Sequence, residues 1–155
     1  AQSEIGQSNI YRIDPASGAV EAVITDRVRP NGLAFSPDGR FLYVSDTGRS
    51  HVPDLAVTLT RYPVLEGGRA VGKGETFASN DAGFYDGFRL DTAGNVWTSA
   101  GTQVHCYAPD GTLGVVIEIG EIVGNLCFGG PKRNRIYICA QTSLHSLFVN
   151  ARGAV

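Results

Sequence analysis

The sequence predicts an all-β chain built from a repeated sheet, and three observations predict it. Short runs of alternating apolar and polar residues are separated by turn residues such as Ser-Pro-Asp-Gly and Pro-Ala-Ser-Gly. Three segments share one plan: "NGLAFSPDGRFLYVSDTG" from Asn31, "DGFRLDTAGNVWTSAGT" from Asp86 and "GNLCFGGPKRNRIYICAQT" from Gly124. No stretch combines helical periodicity with capping residues.

Taken in order, "NIYRIDPASGAVEAVI" (9–24) reads as strand, turn, strand. Proline presets φ in such turns and glycine accepts positive φ. The Asn31 segment is a hairpin about Ser36-Pro37-Asp38-Gly39. "LTRYPVLEGGRAVGKGETF" (59–77) is a longer strand–turn–strand. The Asp86 hairpin follows, then "HCYAPDGTLGVVIEI" (105–119), then the Gly124 hairpin. Aligning "LAF", "FRL" and "LCF" spaces the repeats 55 and 38 residues apart, close to the ~40–50 of propeller blades. If the four strands of a blade are lettered a to d from the axis outward, the chain runs c-d, a-b-c-d, a-b-c-d, a-b-c. That gives about 13 strands and one half-propeller domain over 1–155, with blades at about 9–60, 61–104 and 105–150. Propellers close with 4–8 blades. Three leave open sheet edges, so the expectation is a larger parent protein or a ring completed by a homodimer.

Composition narrows the function. The chain has 155 residues, is 43% hydrophobic and 18% charged, and carries a net charge of −2. It can bury a core, and its 13 scattered basic residues form no patch for nucleic acid or an anionic membrane. No apolar run approaches the ~18 residues of a membrane span, and no signal peptide is visible. The methionine count is zero, so Ala1 is not expected to be the encoded start. The chain is then processed, trimmed of a tag or cut from something longer. Cys106, Cys127 and Cys139 are an odd number and lie in strand-like runs. They are expected to be reduced, buried thiols, which favours a reducing, cytoplasmic compartment.

The candidate site follows from the repeat. Inner strands line a propeller's channel, and their first residues face its mouth. Asn31 and Asp86 hold that place in successive blades. An amide carbonyl and a carboxylate are hard oxygen donors suited to Ca²⁺, Mg²⁺ or Mn²⁺, with Zn²⁺ possible. Gly32 and Gly87 remove a side chain where a ligand or backbone must come close. The competing reading is that Asn-Gly and Asp-Gly are ordinary turn dipeptides. Asn125, one position past the aligned pair, is a candidate substrate contact, the competing reading being a strand-entry hydrogen bond. Tyr85 with Phe84 is a candidate substrate contact and pocket wall, the competing reading being core packing. Asp46, Thr47, Arg49 and Ser50 are expected in a loop. His51, His105 and His145 show no metal-ligand spacing, and Trp97 reads as packing. No Gly-x-Ser-x-Gly elbow or phosphate loop is present.

"RPNGLAFSPDGRFLYVSDTG", "YDGFRLDTAGNVWTSAG" and "GNLCFGGPKRNRIYICAQTSL" resemble the second half of the gluconolactonase/SMP-30/regucalcin-like family, over residues 9 to 147. The resemblance implies a six-bladed propeller with one divalent metal in its channel, Ca²⁺ foremost. It implies a ligand set of a first-blade Glu, an Asn at Asn31 and an Asp at Asp86, with Asp86 close to the attacking water. The implied activity is hydrolysis of a sugar lactone or related cyclic ester. The first-blade Glu and an Asn-bearing strand of the third blade have no counterpart here. The chain is therefore expected to act as a homodimer or with a missing N-terminal half. The alternative is an inactive fragment or a non-catalytic metal- or ligand-binding module.

Overall fold

The computed structural model describes residues 7–154. Fourteen strands form four antiparallel arrays, and the described residues contain no α-helix. β1 (Ile10–Ile13) and β2 (Val20–Ile24) form a hairpin. β3 (Pro30–Phe35), β4 (Phe41–Asp46), β5 (Val57–Leu65) and β7 (Glu75–Asn80) form the first full sheet, with the two-residue β6 (Ala70–Val71) also paired to β5. β8 (Phe88–Leu90), β9 (Val96–Ala100), β10 (Gln103–Tyr107) and β11 (Leu113–Glu118) form the second. β12 (Val123–Gly129), β13 (Arg135–Ala140) and β14 (Leu144–Phe148) form a three-stranded sheet. This is the c-d, a-b-c-d, a-b-c-d, a-b-c order. A division at 60/61 falls inside β5, which pairs with β4 on one side and β7 on the other.

The sheets stack face to face, and a separate core fills each gap. Ile24, Leu42, Val44 and Tyr62 lie between the first hairpin and the first full sheet. Tyr43, Leu59, Phe77, Tyr85, Phe88 and Tyr107 fill the gap between the two full sheets. Trp97, Val104, Leu126, Ile136 and Ile138 fill the last. Burial follows from position. β9 is buried at all five residues because both its faces are covered, whereas β14 alternates because one face is open. Leu144 and Phe148 on that open face are 69% and 72% exposed. At the other end of the stack, Ile13 is 65% exposed.

Buried polar groups set the sheet ends. Asp46 closes β4 and accepts the backbone N–H groups of Val28 (2.9 Å), Arg29 (2.9 Å) and Gly48 (2.8 Å). It therefore fixes the entry to β3, and Gly48–Ser50 forms a 3₁₀ turn beyond it. Asp91 accepts Trp97 Nε1 at 3.0 Å, Asn95 Nδ2 at 2.8 Å and two backbone N–H groups. The tail laces back to the same place, where Thr92 N donates to Arg152 O at 2.7 Å and Ala154 N to Leu90 O at 2.9 Å.

Of the three thiols, only Cys106 is buried, and burial pushes it up to about 12. Cys127 and Cys139 are free and exposed, contrary to expectation. Cys139 pairs with Asn125, and Cys127 lies two residues along the same strand, so both thiols share the uncovered face of the last sheet. No helix among the described residues is long and apolar enough to cross a membrane.

Candidate active site

Asn31, Asp86 and Asn125 lie at the entrances of three adjacent inner strands. Local irregularity puts them there. The pairing of β3 with β4 slips between Pro30 and Leu33, so Asn31 and Gly32 bulge out of the ladder. The pairing of β12 with β13 slips between Val123 and Asn125. Both slips free the mouth residues from strict alternation.

The two glycines are required by close approach. A Cβ on Gly32 would lie 2.4 Å from the Asp86 carbonyl oxygen and 3.0 Å from the Phe88 ring. A Cβ on Gly87 would lie 2.3 Å from the Asn125 carboxamide carbon and 2.9 Å from its Cα. Each glycine thus admits the mouth residue of the next sheet. A backbone bond reinforces the second contact, with Gly87 N donating to Gly124 O at 2.9 Å.

Two serines that the sequence reading passed over complete the frame. Ser45 Oγ accepts Gly32 N at 2.8 Å and donates to Asp86 O at 3.0 Å, tying two sheets together. Ser99 Oγ accepts Asp86 N at 2.8 Å. The signal was available, because "YVSD" and "WTSA" place a serine near the end of each second strand. Replacing Ser45 with Ala orphans Gly32 N–H. It is expected to cost about 1–2 kcal/mol in a urea unfolding curve.

Asn31 and Asp86 converge: Asn31 Nδ2 donates to Asp86 Oδ1. Asn31 is exposed and Asp86 partly buried. Burial pushes the Asp86 carboxyl above the usual aspartate range, and the bond from Asn31 opposes that shift. Asn31 is the one donor to this carboxylate among the described residues. Asn125 Oδ1 accepts Leu126 N at 2.8 Å, the strand-entry hydrogen bond of the competing reading. Tyr85, expected as a substrate contact, is a core residue instead. It is fully buried, and its hydroxyl lies 2.5 Å from that of Tyr107. Phe84 stays partly exposed at 38%. A cavity of about 610 Å³ opens further along the inner strands, beside Leu33, Phe35, Arg89 and Cys127, and the three mouth residues do not line it.

No group of three or more His, Cys, Asp or Glu side chains that could hold a metal occurs among the described residues. The convergent pair still fits a hard cation in part. It brings an amide and a carboxylate from two sheets to one point, the amide turning its Nδ2 to the carboxylate here and able to offer its oxygen once turned over, where Ca²⁺ takes 6–8 oxygens in all.

Residues 1–142 match the family described as the SMP-30/Gluconolactonase/LRE-like region. A gluconolactonase of Zymomonas mobilis is 33% identical over 142 residues, covering 88% of this chain and 39% of that protein. A lactonohydrolase of Aspergillus oryzae is 30% identical, covering 95% of this chain and 35% of its own length. Among solved structures, a gluconolactonase of Xanthomonas campestris superposes with a TM-score of 0.84 at 31% identity, over 96% of this chain and 46% of that one. Regucalcin of Agrobacterium tumefaciens, described as a calcium-binding protein, gives 0.72 at 27% identity, over 87% and 45%. The chain thus spans less than half the length of these relatives, and its stacked sheets are blades of a β-propeller. It belongs to the SMP-30/gluconolactonase/LRE-like family.

Proposed function

We propose that this chain is the catalytic-base half of a divalent-metal-dependent lactonase, hydrolysing a sugar lactone or a related cyclic ester. The observation that carries this reading is the convergence of Asn31 and Asp86 from adjacent sheets at one channel mouth. The gluconolactonases and lactonohydrolase among its relatives supply the substrate class.

In this reading Asn31 and Asp86 would hold the ion, and the chemistry it would supply is polarisation of the ester carbonyl. Ca²⁺ is the first choice, as the calcium-binding relative suggests. Mn²⁺, Mg²⁺ and Zn²⁺ suit the same donors. Asp86 Oδ2, which has no protein donor among the described residues, takes the proton of the attacking water. Asn125 Nδ2 donates to a ring oxygen or hydroxyl of the lactone. The Ser45 and Ser99 hydroxyls hold the Asp86 backbone still while the carboxylate works.

A cover on the two open end faces would bury Ile13, Leu144 and Phe148, which are now exposed. Six blades result if a second copy, or a preceding half of the same protein, supplies the cover. Among the described residues the chain contributes two ligand side chains, which favours a non-catalytic fragment as the second reading.

The test joins assembly to turnover. Solution mass by light scattering and lactone hydrolysis are measured with Ca²⁺, Mn²⁺ or Zn²⁺ and again with EDTA. A dimer with EDTA-sensitive turnover supports the homodimeric lactonase. An inactive monomer that gains turnover when a family N-terminal half is supplied supports the composite ring. Metal binding without hydrolysis in either state overturns the lactonase reading.

A further inference from the structure

A hydrogen-bond chain runs from the surface of the second full sheet to the segment that carries Asp86. Gln103 Nε2 donates to Glu118 Oε1 across the β10–β11 pair. Gln103 Oε1 lies 2.8 Å from His105 Nε2. His105 Nδ1 lies 3.1 Å from the Tyr107 hydroxyl, which lies 2.5 Å from that of Tyr85. His105, Tyr107 and Tyr85 are 4%, 3% and 0% exposed. Tyr85 is bonded through its peptide to Asp86.

The donors fix one direction. Gln103 Oε1 can only accept, so His105 carries its proton on Nε2 and Nδ1 accepts from Tyr107. The Tyr107 oxygen then accepts from Tyr85. Protonating His105 puts a hydrogen on Nδ1 and takes away the acceptor of the Tyr107 O–H, for which the Tyr85 oxygen is the neighbouring one. Tyr107 must then donate to Tyr85, and the Tyr85 O–H needs a new acceptor. The side chain beside it is Asn80, whose Nδ2 is buried without a partner among the described residues and whose Oδ1 already accepts Gly83 N at 3.1 Å. That bond holds the segment running to Asp86. Gly83 packs closely on Gly101, since a Cβ there would lie 2.4 Å from the Gly101 Cα.

We propose that His105 is a positioning residue for Asp86: neutral, it locks the Tyr107–Tyr85 pair and the segment behind Asp86, and charged, it releases them. Its surroundings favour the neutral form. Burial lowers the imidazole, and Glu118 on β11, the charged group that faces it, opposes this only in part. Its partner across β9 is Thr98, its partner across β11 is Val116, and Tyr85 comes from the segment before β8. An unfolded imidazole takes up a proton near 6.5, before the folded one does. The stability that the neutral chain contributes is therefore complete above that pH and is lost as pH falls through it toward the folded value.

The catalytic consequence rests on Asp86 being the base, whereas the coupling does not. The test is NMR on the whole chain, with the imidazole nitrogens of His105 and the amides of Tyr85, Asp86 and Gly87 followed against pH. The expected result is an Nε2–H tautomer at neutral pH and an amide shift with the midpoint of His105. Asp86→Asn removes the carboxyl's own titration and keeps that shift. Tyr107→Phe keeps the His105 titration and abolishes the shift. His105→Gln, which retains an acceptor for Tyr107 and cannot become charged, abolishes it as well if the Phe variant fails to fold. Amides that ignore His105 in the native chain, or that follow it after the link is cut, overturn the proposal. Where lactone turnover is present, His105→Gln moves the acid limb of kcat and leaves KM in place. Absent turnover counts against the lactonase reading alone.

Discussion

If Asp86 is the base proposed above, replacing it with Asn lowers lactone turnover of the completed protein by about 10²–10⁴-fold, the usual worth of a general base, and leaves the fold standing. The fold survives because every bond that places residue 86 is one an asparagine keeps. Its N–H still donates to Ser99 Oγ, and its carbonyl still accepts from Ser45. An amide oxygen can still accept from Asn31 in place of Oδ1. What disappears is the carboxylate that the proposed reading makes the base. Urea midpoints and steady-state kinetics on the same preparation separate the two effects. Unchanged turnover in a folded variant removes Asp86 from the mechanism. Lost turnover together with an equal loss of stability assigns it a structural part instead.

Gly32→Val is the second large effect, and here stability should fall by about 3 kcal/mol. The first atom added meets a backbone carbonyl at 2.4 Å, and the Phe88 ring stands at 3.0 and 3.1 Å. Neither can rotate away. The carbonyl belongs to Asp86 and is held by Ser45, and Phe88 is fully buried between the two full sheets. The strain is relieved only by parting the sheets at the mouth. Chemical denaturation followed by Trp97 fluorescence measures the cost. A loss under about 1 kcal/mol would mean that the sheets part easily there.

The strand order could be read from the sequence because each hairpin carries its own signal. Pro37-Asp38-Gly39 and Pro109-Asp110-Gly111 mark turns, and the apolar alternation on either side marks strands. Asn31 and Asp86 were legible as a pair because each begins an inner strand just before a glycine. The roles of Ser45 and Ser99 were not. A serine in a strand looks like a solvent-facing residue until the bulge beside it shows which N–H it receives. Of the two readings open for Tyr85, pocket wall or core packing, the structure gives core packing, because neighbouring residues in an extended segment point to opposite sides. The exposure of Cys127 and Cys139 depends on what lies beyond the last sheet, and local pattern holds no information about that.

The slip in pairing at Asn31-Gly32 has a consequence for how such a mouth can diversify. Two residues there stand outside the ladder, while Pro30 stays opposite Asp46 and Leu33 opposite Val44. The side chain at the tip can therefore be exchanged without re-threading the hydrophobic faces on either side. A scaffold of this kind separates the parts that must be inherited together from the parts free to vary. One ring of sheets can then try many chemistries at its rim, provided that each new tip is followed by a residue small enough to let the next blade in.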